Sequence, residues 1–159
     1  MKTYILNNKI ATLFLLIVLS VSSCSNVKYN GKLIDDVGQF VNESFASEHQ
    51  VNTTFSKSDK PKKFFYEIDS DEKYKIVFKD EYKTDVDYGK QFLIVCSFVS
   101  IYKKKHYLDK LFLNNDTLVI ECTHQKGADG SGYACAPYQR WCAILMDIIE
   151  YNTIDFTGE

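Results

Sequence analysis

Apolar positions in this chain change their spacing from segment to segment, and each spacing predicts an element. A short apolar run over 10–19, broken only by Thr12, comes first. Polar and turn-forming residues over 25–32 follow and read as the start of a tether. Leu33, Ile34, Val37, Phe40, Val41 and Phe45 then recur at three- and four-residue spacing, which predicts a helix over 33–47. Gly38 weakens that helix by about 1 kcal/mol relative to Ala. The stretch 49–62, with His49, Thr53, Thr54, Ser56, Ser58 and Pro61, reads as a loop or second linker.

Phe64, Tyr66 and Ile68 alternate, predicting a short strand over 63–68. Ser70 reads as a helix N-cap, with Asp71 and Glu72 in the dipole-favoured first turn and Tyr74, Val77 and Phe78 at helical spacing, so a helix is expected over 71–80. Residues 85–89 form a turn. Segment 91–100 is apolar on both alternating faces, the mark of a central strand. A second strand over 101–113 carries a basic middle, Lys103, Lys104, Lys105 and His106. Asn114, Asn115 and Asp116 signal a hairpin turn into a third strand over 117–123. A glycine-rich loop over 127–132 leads to a fourth strand over 138–149 and a short last one over 153–156. The fold class is therefore α+β: a mostly antiparallel β-sheet or sandwich of about five strands, with one or two N-terminal helices.

The N-terminus has its own logic. Lys2 and Lys9 precede the apolar run, and Ser20, Ser22 and Ser23 follow it. This is signal-peptide anatomy; the alternative, an uncleaved anchor helix, is disfavoured because the run is too short to span a bilayer stably. Val21, Ser22, Ser23 and Cys24 resemble the lipobox of bacterial lipoproteins. The resemblance implies cleavage before Cys24, a diacylglyceryl thioether on its sulfur and usually an acylated (palmitate-type) amino terminus. Each buried methylene would add about 0.8 kcal/mol of anchoring. Ser25 rather than Asp after the cysteine favours the outer membrane in a Gram-negative cell. The expected division is a signal peptide over 1–23, a lipidated tether over 24–32, a helix and linker over 33–62, and a β-rich domain over 63–159.

Removing the leader leaves 136 residues, enough for one domain with a core. Without Lys2 and Lys9, 19 basic residues become 17 against 21 acidic ones, a net charge of −4. That balance argues against nucleic acid as a partner.

With Cys24 lipidated, Cys96, Cys122, Cys135 and Cys142 remain, an even set that suggests disulfides in an exported chain. Cys122–Cys135 would clamp the glycine-rich loop, contributing on the order of 3 kcal/mol. Cys96–Cys142 would join two core strands, although Cys96 on an apolar face also suits a buried free thiol. Cys122, His124, Cys135 and Cys142 could instead bind zinc, but their spacing fits no zinc signature. Cys122 and His124 share a strand face, as a thiol nucleophile and its base would need. Against this stand a disulfide-bonded Cys122 and an exposed His124.

The glycines follow Lys126 rather than leading into Gly-Lys-Ser/Thr, so no phosphate loop is formed. A mobile loop is expected, with Tyr133, Tyr138 and Trp141 beside it as a possible contact patch or partial core. Lys103, Lys104 and Lys105 would touch anionic headgroups or polysaccharide, or else guard a solvated strand edge.

From Phe64 to Phe156 the chain resembles the small β-rich domain of the PrcB-like family of exported proteins, which are components of protease complexes. Ile68 through Tyr74 with Val77 and Phe78, Val86 through Val95, Asn115 through Ile120, and Pro137-Tyr138 with its strand carry the likeness, in that order. The family's glycine-rich Gly-Tyr segment is replaced by Lys103 through Tyr107. The resemblance implies an interaction domain and transfers no site residues. No cofactor is implied. The expected function is a membrane-anchored lipoprotein of the cell envelope whose extracytoplasmic domain binds a protein or glycan partner. The alternatives are a thiol- or metal-dependent hydrolase using Cys122 and His124, and a structural component of an envelope complex.

Overall fold

The structure, a computed structural model, describes residues 27–54, 59–124 and 133–158. The expected leader, Cys24 and the 127–132 loop lie outside the described residues.

Eight strands form two four-stranded sheets. The first orders β1 (Val27–Lys28), β5 (His106–Asn114), β6 (Thr117–His124) and β8 (Thr153–Gly158). The second orders β2 (Gly31–Ile34), β7 (Tyr133–Asp147), β4 (Gln91–Tyr102) and β3 (Lys63–Ile68). All pairings are antiparallel except β6 with β8. A short 3-10 turn (Gly38–Phe40) and helices α1 (Glu43–Glu48) and α2 (Asp71–Val77) cover the outer face of the second sheet. The architecture is thus three layers, with the second sheet in the middle.

β4 explains this arrangement. Phe92, Ile94, Cys96 and Phe98 pack between the sheets, against Leu118, Ile120 and Phe156. Leu93 and Val95 face the other way, into a second core with Val37, Val41, Phe45, Val77 and Phe78. A strand apolar on both faces needs cover on both, and the helical layer supplies the second.

The predicted helix over 33–47 does not form as one element. Its apolar repeat is divided between β2, the 3-10 turn, an isolated bridge from Val41 to Phe78, and the six-residue α1. Asp36 adopts a left-handed φ of 58°, and Val41 is extended at ψ 136°, so helical geometry is broken twice. Leu33 packs against the inter-sheet core while Val37, Val41 and Phe45 enter the outer one, so the periodic set serves two cores. The supposed tether also differs. Val27–Lys28 forms β1, pairing with Leu113 and Phe112 of β5, and Gly31 already opens β2. Residues 27–54 therefore belong to the same folded unit as the β-rich region.

The later elements follow the sequence pattern with two differences. The strand expected over 101–113 is divided, with Ile101 and Tyr102 ending β4, 103–105 a link and β5 beginning at His106. The strand expected over 138–149 already begins at Tyr133. Ser70 caps α2, its hydroxyl accepting the Lys73 N–H at 3.4 Å. The β5–β6 hairpin turns at Asn115, whose φ of 53° suits an asparagine. A cap that the sequence did not suggest comes from Asn42. Its amide donates to the carbonyls of Lys75, Ile76 and Phe78, satisfying the end of α2 from another layer.

The two ends of the sandwich are distinguishable. β1 begins at the end that holds the β5–β6 turn and the short 148–152 connection from β7 to β8. The 103–105 link from β4 to β5 lies at the opposite end.

Candidate functional site

The most concentrated polar chemistry lies where the end of β2 meets β5 and β7. Arg140 grips Asp35 with two bonds, Nε to Oδ1 at 2.9 Å and Nη2 to Oδ2 at 2.7 Å. Both side chains are nearly inaccessible, at 4% and 5% exposure. The backbone N–H of His106 donates to Oδ2 at 2.7 Å, and the Cys142 thiol donates to Oδ1 at 3.2 Å. Arg140 Nη1 also donates to the Tyr138 hydroxyl at 2.6 Å. Burial alone would raise the Asp35 pKa, but the bonds from Arg140, His106 and Cys142 outweigh it and hold the carboxyl below its usual 3.8. The pair stays charged, and its four donors are directed at one carboxylate.

His106 borders this clasp and is 1% exposed. Its Nδ1 lies 3.1 Å from the Lys104 carbonyl, which can only accept, so Nδ1 carries the proton. Nε2 has no hydrogen-bond partner. Burial, reinforced by nearby Arg140, pushes the His106 pKa below 6.5 and keeps the ring neutral.

Three thiols sit beside the clasp in the inter-sheet core, and Cys96, Cys122 and Cys142 are all free. The expected Cys96–Cys142 disulfide is not formed, although the two residues are directly opposed on β4 and β7. The register gives the reason. Ile148 N–H donates to Lys90 O at 2.9 Å, and pairing runs unbroken from Gln91–Asp147 to Cys96–Cys142. Every second pair, Cys96–Cys142 included, is then hydrogen-bonded, a setting in which Cβ atoms approach less closely than a disulfide's roughly 3.5–4.5 Å. Instead the Cys96 thiol donates to the Cys142 carbonyl at 3.6 Å. The neighbouring Cys142 thiol, together with full burial, raises the Cys96 pKa far above 9.0. The Cys122–Cys135 bond expected from sequence is contradicted at Cys122, which is free; the Cys135 thiol lies outside the described side chains.

The Cys122–His124 pair does share a face of β6. Yet burial pushes the Cys122 pKa up to about 12, so the thiol is protonated at neutral pH and lacks the exposed thiolate of a cysteine nucleophile. His124 faces His106, ring centroids 6.1 Å apart. Among the described residues no three His, Cys, Asp or Glu side chains are arranged to hold a metal ion.

The proposed contact residues separate. Trp141 is buried in the outer core against Phe45 and Phe64, so it packs rather than binds. Tyr138 is half-buried and engaged with Arg140. The Tyr133 side chain lies outside the described residues. Lys103 and Lys105 are exposed and Lys104 half-buried. They adjoin the first half of β5, which has no strand partner on one side because β1 pairs only with Phe112 and Leu113. Their link is a corner between sheets.

Two recesses open on the surface, sharing the segment 82–85 as a wall. One, of about 420 Å³, is walled by Tyr74, Phe78, Tyr82, Val86 and Tyr88, with three lysines and three aspartates among its lining residues. The Tyr74 hydroxyl braces the shared wall, donating to Tyr82 O and accepting from Thr84 N, both at 3.1 Å. Burial raises the Tyr88 pKa to about 12, so its hydroxyl stays neutral. The other recess, of about 600 Å³, runs along β2 and gathers Lys32, Lys83 and Lys105 from three separate segments.

No family model, curated protein or solved structure matches this chain. Among the described residues, no helix is long and apolar enough to cross a membrane.

The Asp35–Arg140 pair was missed from sequence because its partners lie 105 residues apart. One signal was present. Arg140 is the single arginine among 19 basic residues, in the otherwise apolar run Trp141-Cys142-Ala143-Ile144. Arginine's planar fork is the group suited to buried bidentate pairing.

Proposed function

We propose that this protein is a lipid-anchored bacterial envelope lipoprotein whose extracytoplasmic domain binds a protein or glycan partner without catalysing a reaction. The observation that carries this reading is the division of chemistry in the fold. Asp35, Arg140, His106 and the described thiols are buried and engaged with one another, while the paired recesses present aromatic and charged side chains at the surface. A hydrolase would need an accessible base or thiolate, and Cys122 with its raised pKa does not offer one.

The lipobox supports the anchor. Only three residue steps separate Cys24 from β1, a reach of at most about 11 Å. A domain so tethered would stand close to its membrane on the end bearing the β5–β6 turn. Asp116, Asp147 and Glu150 lie at that end with Lys28 and Lys90, so it carries no cationic surplus to draw it to anionic headgroups.

The test is intact mass and detergent partitioning of the full chain made in a bacterial host. The reading expects a chain beginning at acylated Cys24 that enters the detergent phase. Cys24→Ala should be unprocessed at that site and carry no acyl mass. An unmodified Cys24 would contradict the anchor.

A further inference from the structure

Resting on that reading and deepening it, we infer that the partner is an acidic polysaccharide, one bearing carboxylate or phosphate groups, bound across the two recesses that flank residues 82–85. Three observations carry this. Lys32 comes from β2, Lys83 from the connection after α2 and Lys105 from the corner between sheets, and all three line one concavity. None of the three is in an ion pair among the described residues, whereas Lys73, Lys90, Lys110 and Arg140 each have a carboxylate partner. Of the two carboxylates lining this recess, Asp35 is neutralised by Arg140, which leaves Asp85 against three lysines. The surplus is positive on a molecule whose overall charge is negative, and a concave wall concentrates that field.

The second recess decides between polymer classes. It continues from the first across Tyr82, Lys83, Thr84 and Asp85 and is walled by Tyr74, Tyr82 and Tyr88. Its three aspartates balance its three lysines, so it offers no net charge, only aromatic surface rimmed by hydrogen-bonding groups. A chain of sugar rings carrying acidic groups suits both halves: a ring against Tyr88, hydroxyls on the rim, acid groups among the lysines. Tyr74 and Tyr82 pack on each other and on Phe78 and Phe40, and present their edges. An acidic peptide would gain the lysines but leaves the balanced rim unused. Lys103 and Lys104 adjoin Lys105 and extend the cationic wall toward the end remote from the start of β1.

The test is calorimetric titration of the detergent-solubilised full chain with oligogalacturonate, a neutral maltooligosaccharide of equal length, and polyglutamate. Oligogalacturonate should bind, weaken steeply with added salt, and lose at least about tenfold in affinity in Lys32→Glu/Lys83→Glu/Lys105→Glu. The exposed control Lys28→Glu/Lys62→Glu/Lys90→Glu makes the same charge change and should stay within about twofold. The single Lys83→Gln should weaken binding about two- to threefold, which keeps a readout if the triple variant misfolds. Equal loss in both triple variants, equal affinity for the neutral sugar, or tighter binding of polyglutamate would overturn the inference. Repeating the titration on Cys24→Ala separates the two claims. Retained acidic-sugar binding without lipid supports the recess on its own, while an acylated chain that ignores oligogalacturonate overturns it and leaves the anchor standing.

Discussion

Strand β2 divides two kinds of charge. On its inner side, at its end, Asp35 and Arg140 are locked together at 2.7 and 2.9 Å and closed off from water. Along its open edge, Lys32, Lys83 and Lys105 line a recess that Asp35 also borders, and these three lysines have no ion-pair partner among the described residues. Charges a few residues apart in sequence therefore do different work. The inner pair joins β2, β5 and β7 and belongs to stability; the outer lysines add little to stability and are available to a ligand. Density of polar groups is thus a poor guide to function here, because the densest cluster is the one most fully satisfied by its own neighbours.

The largest expected effect tests the inner side. Asp35→Ala strips four donors of their acceptor and leaves Arg140 buried without its partner, which should cost about 3–5 kcal/mol, read as a drop in the urea midpoint. Replacing both partners, Asp35→Leu with Arg140→Met, should recover part of that loss in the same titration, since no charge is then stranded. Recovery stays incomplete because the His106 N–H keeps no acceptor. Next in size is Asn42→Ala, which removes the amide that closes α2 and should cost about 1–2 kcal/mol.

Acid should act on the inner side as well. The unfolded chain protonates His106 near pH 6.5, while the folded chain resists it. Stability should therefore fall as pH drops below 6.5, until the folded ring titrates. His106→Phe should flatten that slope in urea midpoints taken from pH 7 to about 5. Asp35, held below 3.8, adds a separate loss only when pH falls through its folded value.

What the sequence revealed followed from local physics. Alternation at Phe64, Tyr66 and Ile68 marked β3, Ser70 with Asp71 and Glu72 marked the start of α2, and Asn114-Asn115-Asp116 marked the hairpin. Two apolar faces marked β4 as central, and its two cores explain why. The helix over 33–47 failed because four-residue spacing also arises when a strand, a 3-10 turn and a short helix each place one residue inward. The disulfide failed because partner choice was legible but the phase of the hydrogen-bond ladder was not. Lys103 to Lys105 were visible as a cluster, but not that they form the corner between two sheets, beside the half of β5 that β1 leaves unpaired. The recess itself was invisible, because Lys32, Lys83 and Lys105 converge only through the fold.

The smallest expected change is also the most informative. Lys32→Glu/Lys83→Glu/Lys105→Glu should shift stability by no more than about 0.5 kcal/mol while weakening oligogalacturonate at least about tenfold. Asp35→Asn should do the reverse, lowering the urea midpoint while affinity holds or rises, because Asp35 borders the recess and its loss leaves the Arg140 charge unbalanced there. Measuring both quantities on both variants tests the division across β2 most directly. Opposite responses are the predicted result; a lysine variant that loses stability and binding together, or an Asp35→Asn variant that loses affinity while its urea midpoint holds, would contradict the account.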